Sequence, residues 1–194
     1  MSSSPVDTER ELLRRFTTGD ASAFAQLVHT YKSQIYGYVC RSGVPMGVRD
    51  DLFQDIFLRV SQAAGRFDFE RPFKPWLFAI AVNTVRSHFR KPQLAMVDAV
   101  AAEVEDGGPR GDQILAAQET ASWLDTAIAA LPGPQRDVLI LVCIQRMDRQ
   151  EVARTLDIPL ETVKTLLRRG RLTLAKQLAS RTARTEHEYR ERAL

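Results

Sequence analysis

DRQEVARTLDIPLETVKTLLRRGR, residues 148–171, reads as a helix, a tight turn and a second helix whose outer face is basic. Ala153, Asp157 and Val163 stand four and six residues apart, as a helix-turn-helix requires. A small residue lets the two helices touch. Asp visits the left-handed region more cheaply than most non-glycine residues. A β-branched residue fills the angle between the helices. Pro159 pushes Ile158 out of the helical region and enforces the break. Val152, Leu156, Ile158, Val163 and Leu167 can then close a small core. The second helix, expected from Leu160 to Leu178, carries Lys164, Arg168, Arg169, Arg171 and Lys176 against one acid, Glu161. A helix of this kind fits the major groove, where its cations meet phosphates and base edges. A basic helix alone is more often a solvated surface. The helix and turn preceding it at this spacing point to duplex DNA.

Charge along the rest of the chain supports a polyanionic partner. Residues 1–91 hold 13 basic and 9 acidic side chains, residues 92–118 hold 1 and 5, and residues 119–194 hold 13 and 10. Two basic lobes therefore flank an acidic connector, within a chain of net charge +3. At 194 residues and 44% apolar content the chain can hold two small domains with cores of their own. Cys40 and Cys143 belong to no CxxC or Cys/His cluster, so zinc is not expected, and both read as core thiols. The polar N-terminus does not read as a signal peptide, and no apolar run is long enough to span a bilayer. The expectation is a cytoplasmic protein.

Nearly every segment carries helical periodicity, and the fold class predicted is all-α. Thr8 with Glu11 predicts a capping box for a short helix bearing Leu12, Leu13 and Phe16. Gly19 ends it and Asp20 caps the next. Phe24, Leu27, Val28, Tyr31, Ile35 and Val39 then form an amphipathic stripe over 21–42. Gly43 and Pro45 stop that helix. A third is expected over 48–64 with Leu52, Ile56 and Val60 on one face, broken by Gly65. Residues 66–75 read as a loop, and a fourth helix starts at Pro75. Residues 92–112 lack helical periodicity, are rich in Ala, Gly, Asp and Glu, and read as a flexible acidic linker. Helix resumes near Asp112, then again at 134–145 after Pro132 and Pro134. The tail after Ser180 is expected to fray. The organisation predicted is a helical unit over 1–91, a linker over 92–112 and a helix-turn-helix unit over 113–194.

The N-terminal unit carries two further signals. VRDDLFQDIFLRV, residues 48–60, sets Asp50, Asp51, Gln54 and Asp55 beside an apolar stripe, with Phe53 and Phe57 on one face. Acids mixed with aromatics on a helix suit a protein partner with basic counterparts, or are simply the solvated side of a core helix. Residues 66–91 interleave Phe67, Phe69, Phe73, Trp76, Phe78 and Phe89 with Arg66, Arg71, Lys74, Arg86, Arg90 and Lys91. Unstacked bases lie on rings and cations follow the backbone of a single strand. Trp76, Leu77, Ile80 and Val85 fit a buried stripe, so only a minority of these rings is available for nucleic acid.

One unit suited to duplex and one to open strands point to promoter recognition with melting. Here the chain resembles the bacterial RNA polymerase sigma factors of the extracytoplasmic-function (ECF) class of the sigma-70 family. DDLFQDIFLRV resembles that family's core-polymerase-binding helix, FKPWLFAIAVNTVRSHFRK its minus-ten and melting segment, and LPGPQRDVLIL with RQEVARTLDIPLETVKTLLRRGR its minus-thirty-five reader. The likeness runs from about residue 9 to 179 in the family's order. It implies sigma region 2 in the first unit and region 4 in the last. It implies that Asp51, Leu52, Gln54, Asp55 and Phe57 meet core RNA polymerase. Phe67, Phe69, Lys74, Trp76, Asn83, Arg86 and Arg90 would handle minus-ten DNA. Thr162, Lys164, Thr165, Arg168, Arg169 and Arg171 would read or clamp minus-thirty-five DNA. The linker would run toward the RNA exit path, and an anti-sigma factor, often membrane-anchored, would hold the free factor inactive.

The chain departs from the family pattern at Asp157 and Glu161, where glycine is usual, at Leu166, where arginine is frequent, and at Gly170, where alanine is frequent. Glu161 suits the helix dipole and could select a base such as cytosine. Gly170 costs the helix about 1 kcal/mol relative to Ala, which reflects either a closely approaching backbone or drift. Two rival readings are weaker. Asp50, Asp51 and Asp55 could hold Mg²⁺ and a diphosphate, but no second acidic cluster faces them. A helix-turn-helix regulator that never touches polymerase would need a helical ligand or dimer domain, and the first ninety residues look like neither. No P-loop, HExxH or catalytic triad context is present, so no catalytic residue, metal or cofactor is expected.

Overall fold

The computed structural model describes the backbone of residues 5–90 and 112–192, and the side chains of 8–90 and 120–183. Among the described residues the fold is all-α, without a strand. The linker expected over 92–112 falls outside them except for its last residue.

Helix α1 spans Pro5–Thr17 and α2 spans Ala21–Arg41. Asp20 caps α2 by accepting from the Ser22 and Ala23 amides, and Gly19 makes the preceding turn at φ +106°. Thr8 is not at the start of α1, which begins three residues earlier at Pro5, and Glu11 pairs with Arg14 at 2.7 Å. Helix α3 spans Met46–Ala63 and closes in a short 3₁₀ turn over Ala64–Arg66. Helix α4 runs Phe73–Arg90, starting two residues before Pro75. Its entry is held by Phe73, which is buried and stands edge-on to Tyr31 with ring centroids 5.5 Å apart. Leu13, Leu27, Ile35, Ile56, Val60, Leu77 and Phe78 close the core between α1, α2, α3 and α4. Each such side chain contributes about 1.5–3 kcal/mol by leaving water.

Helix α5 spans Asp112–Ala129 and α6 spans Gly133–Leu139. Helix α6 widens into a π-type turn over Ile140–Ile144, where the Gln145 amide reaches back to the Ile140 carbonyl at 2.9 Å. The next residues change direction through Arg146 at φ +55° and a buried Met147. Helix α7, Arg149–Leu156, opens on a reciprocal cap between Asp148 and Glu151. Helix α8 spans Leu160–Arg192, so it continues well past Ser180 instead of fraying there. Trp123 of α5, under the Arg181 guanidinium at 5.0 Å, gives this extension a neighbour to lie on.

Asp157 terminates α7 in the left-handed region at φ 52°, ψ 52°. The Ile158 amide then bonds the Ala153 carbonyl at 3.0 Å. Val152, Leu156, Val163 and Leu167 are buried, with Ile158 packed against them. Gly170 is buried against α6: a Cβ built there would stand 3.4 Å from Leu139 Cδ1 and 3.6 Å from the Gln135 carbonyl oxygen. These are ordinary van der Waals distances, so α6 passes close by without requiring a glycine here.

Candidate nucleic-acid interface

The turn chemistry of Asp157 and the cap at Asp148 fix α8 relative to α7, and the outer side of α8 is free. Lys164, Thr165, Arg168, Arg169 and Arg171 are exposed and Thr162 is half-buried. A shallow groove of about 290 Å³ is lined by Arg149, Lys164, Leu167, Arg168, Arg171 and Leu172. Four cations and no acid line it, so it suits a phosphate run. Arg149 is a cation that the sequence reading missed. Its signal was a basic residue directly after a helix cap, on the first helix of the pair. Glu161 is exposed and accepts from Lys164 at 2.6 Å, so one α8 cation carries its own counterion. Leu166 is turned partly inward onto the core. Cys143 is exposed, not a core thiol, because the π-type turn rotates it outward, where Arg171 donates to its sulfur at 3.4 Å.

On α4, Trp76, Asn83 and Arg90 are spaced seven apart and share one side of the helix. Asn83 and Arg90 are exposed, and Phe89 beside them is half-exposed. Trp76 packs on Phe67 and Phe73 with centroids 4.9 and 5.7 Å apart. Phe67 is only 6% exposed and meets Phe69 edge-on at 5.1 Å. Arg14 of α1 covers a face of Phe69 at 4.9 Å, and Arg10 donates to the Phe69 carbonyl at 2.9 Å. The loop aromatics therefore form a packed platform in which Phe67 is support.

Lys74 and Arg86 are engaged differently. Lys74 donates to the Gln145 carbonyl at 2.7 Å, and burial lowers its pKa from the ordinary lysine value. Arg86 Nε and Nη2 both approach Asp137 Oδ2 at 2.9 Å. Both partners belong to the C-terminal unit.

On α3, Asp51 and Gln54 are exposed and Asp55 is half-exposed, chelated by Arg59 with both oxygens at 3.0 Å. Leu52 and Phe57 are buried and build the helix's inner side. Leu58, 55% exposed, stands seven residues after Asp51 on the outer side. It is the apolar member of this face, legible from helical periodicity but passed over. Among the described residues no helix is long and apolar enough to cross a membrane.

Two family models fit this arrangement of helices. Sigma-70 region 2 matches residues 27–94 and Sigma-70 region 4 matches residues 121–174. A basic helix-turn-helix behind an aromatic and cationic helical unit is thus the architecture of the sigma-70 class. The ECF RNA polymerase sigma factor SigW of Bacillus subtilis (strain 168) is 30% identical over 179 residues, covering 87% of this chain and 96% of that protein. The ECF RNA polymerase sigma-E factor of Escherichia coli (strain K12) is 30% identical over 174 residues, covering 84% and 91%. The structure of CnrH in complex with the cytosolic domain of CnrY superposes with a TM-score of 0.68 at 26% identity, over 89% of this chain and 98% of that one. The chain belongs to the ECF sigma factors.

Proposed function

We propose that this protein docks on core RNA polymerase and directs promoter-specific initiation by binding, not by catalysis. The carrying observation is the acid-free groove of Arg149, Lys164, Arg168 and Arg171, set on a helix-turn-helix whose turn is closed by left-handed Asp157. In this reading residues 1–91 act as region 2 and residues 113–194 as region 4, with 92–112 as the connector. The outer side of α3, Asp51, Gln54 and Asp55 with Leu58, meets the polymerase, while Leu52 and Phe57 hold that helix in place. Trp76, Asn83, Arg86 and Arg90 handle the minus-ten strand, with Lys74 on its backbone and the Phe67–Phe69 pair shaping the platform. Thr162, Lys164, Thr165, Arg168, Arg169 and Arg171 take the minus-thirty-five duplex. The setting is cytoplasmic. An anti-sigma factor as protein partner is part of this reading, and the solved complex of CnrH with the cytosolic domain of CnrY supports a protein partner for a chain of this fold.

The test is to mix the purified chain with core polymerase and run a promoter library. Co-elution and promoter-specific run-off transcripts are expected. A folded, inhibitor-free protein that does neither would overturn the reading.

A further inference from the structure

The two helical units are not independent in this structure, and their junction is polar, specific and built on residues assigned above to DNA. Asp137 of α6 has a side chain only 4% exposed. It accepts from the Tyr38 hydroxyl of α2 at 3.0 Å and from Arg86 of α4 at 2.9 Å. Tyr38 is itself buried, and burial raises its pKa well above the ordinary value, so it stays a donor. Gln145 receives Lys74 on its carbonyl at 2.7 Å and directs its amide to the Gln34 carbonyl at 3.4 Å. Asp125 of α5 pairs with Arg41 of α2 at 2.7 Å. Thr155 of α7 reaches the Pro75 carbonyl at 3.5 Å, against the start of α4. A buried carboxylate is tolerated only with its partners in place, so Asp137 belongs inside this junction.

We propose that the free chain is self-masked: Asp137 latches the helix-turn-helix unit onto α2 and α4, withholding Arg86 and Lys74 from the minus-ten strand until the units part. This rests on the sigma-factor reading above. Geometry requires the parting. Two promoter elements about 25 base pairs apart are separated by ~85 Å of duplex at 3.4 Å per pair. In the closed form α7 lies against α4. The 21 residues between Arg90 and Asp112 can span at most about 75 Å, so with the widths of the two units they reach both elements, but only when the units stand apart. In the closed form the groove on α8 stays open, so masking falls on the minus-ten side alone.

The test uses the full chain and three probes: a labelled single strand carrying the minus-ten element from the run-off library, the minus-thirty-five duplex, and small-angle X-ray scattering. Asp137→Ala strands both Tyr38 and Arg86 in the closed form. If it moves the open fraction from roughly a tenth to most molecules, apparent affinity for the single strand rises about tenfold. The radius of gyration should rise by several ångströms above the roughly 16 Å of a compact chain this long. Duplex affinity should not change. Tyr38→Phe, which removes one hydroxyl, should move the first two readouts the same way by less; it decides the matter if Asp137→Ala loses helicity. Unchanged single-strand affinity and size would overturn the latch. So would tighter binding without expansion, since Arg86 would then have been released locally. A failed promoter library overturns the sigma reading instead, and is scored on the unmodified chain.

Discussion

Gly170→Ala tests whether α6 and α8 meet where the structure has them. Alanine gains about 1 kcal/mol over glycine inside a helix. The added methyl would meet Leu139 Cδ1 at 3.4 Å, the Gln135 carbonyl oxygen at 3.6 Å and Gln135 Cβ at 3.7 Å. All three are ordinary van der Waals distances, so the methyl fits and is buried, adding up to about 0.8 kcal/mol. Some is lost to a small shift of Leu139, leaving a net stabilisation of about 1–1.5 kcal/mol. Gly170→Val gains less from the backbone, and its extra carbons drive into Leu139 and Gln135. Overpacking of that kind costs about 1–3 kcal/mol, and the β-branch forfeits most of the propensity gain, so Val destabilises. Urea unfolding followed by far-ultraviolet circular dichroism measures both. Duplex affinity of the alanine variant should equal that of the parent, since α8 keeps its seat. If Ala destabilises, or Ala and Val behave alike, α6 does not lie against α8 at this residue.

Leu58→Glu should abolish co-elution with core polymerase while leaving helicity unchanged, because more than half of the residue is exposed; retained assembly would remove this side of α3 from the polymerase contact. Arg168→Ala or Arg171→Ala should cost about 1–3 kcal/mol of minus-thirty-five affinity if the residue reads a base. Arg149→Ala should weaken all duplexes alike and lower the salt slope by about one; titrations at several salt concentrations separate the two patterns. Asp20 is held down at about 2 by the Ser22 hydroxyl and the Arg15 guanidinium, below the ordinary aspartate value. Its folded value is the lower one, so its contribution is complete above about pH 4 and is lost as pH falls toward about 2. Asp20→Asn should therefore flatten the acid limb of the urea midpoint between those values; an unchanged limb would show that the cap does not titrate there.

The helix-turn-helix was legible because its determinants are local. Ala153, Asp157, Pro159 and Val163 settle a turn through backbone sterics within a dozen residues, and the left-handed Asp157 follows from them. The stripe of Leu27, Tyr31, Ile35 and Val39 was legible for the same reason, being one period repeated. Helix starts were less so. Phe73 begins α4 ahead of Pro75 because its ring is wanted in the core, a tertiary demand that turn chemistry does not register. Leu52 and Phe57 show a related limit: motif resemblance marks a helix, while the helical period decides which members face out. Burial of Phe67 depends on Phe69, Phe73 and Trp76 arriving together, and no spacing rule predicts that.

Asp137 had no local signal at all, because its partners lie 99 and 51 residues away. Their chemistry nonetheless says what the junction can do. A carboxylate beside Arg86 offers the guanidinium what a phosphate offers it, so in the proposed latch strand and Asp137 compete for one group. When the strand wins, Asp137 keeps only the Tyr38 hydroxyl, and a buried charge so poorly matched is costly. Hydrating it requires α6 to leave α2 and α4, which also frees the Gln145 carbonyl from Lys74. Release of the two cations is thereby coupled: a strand that captures Arg86 makes the capture of Lys74 easier. A junction sealed by apolar side chains alone would lack this link, since nothing in it would resemble the nucleic acid that has to displace it.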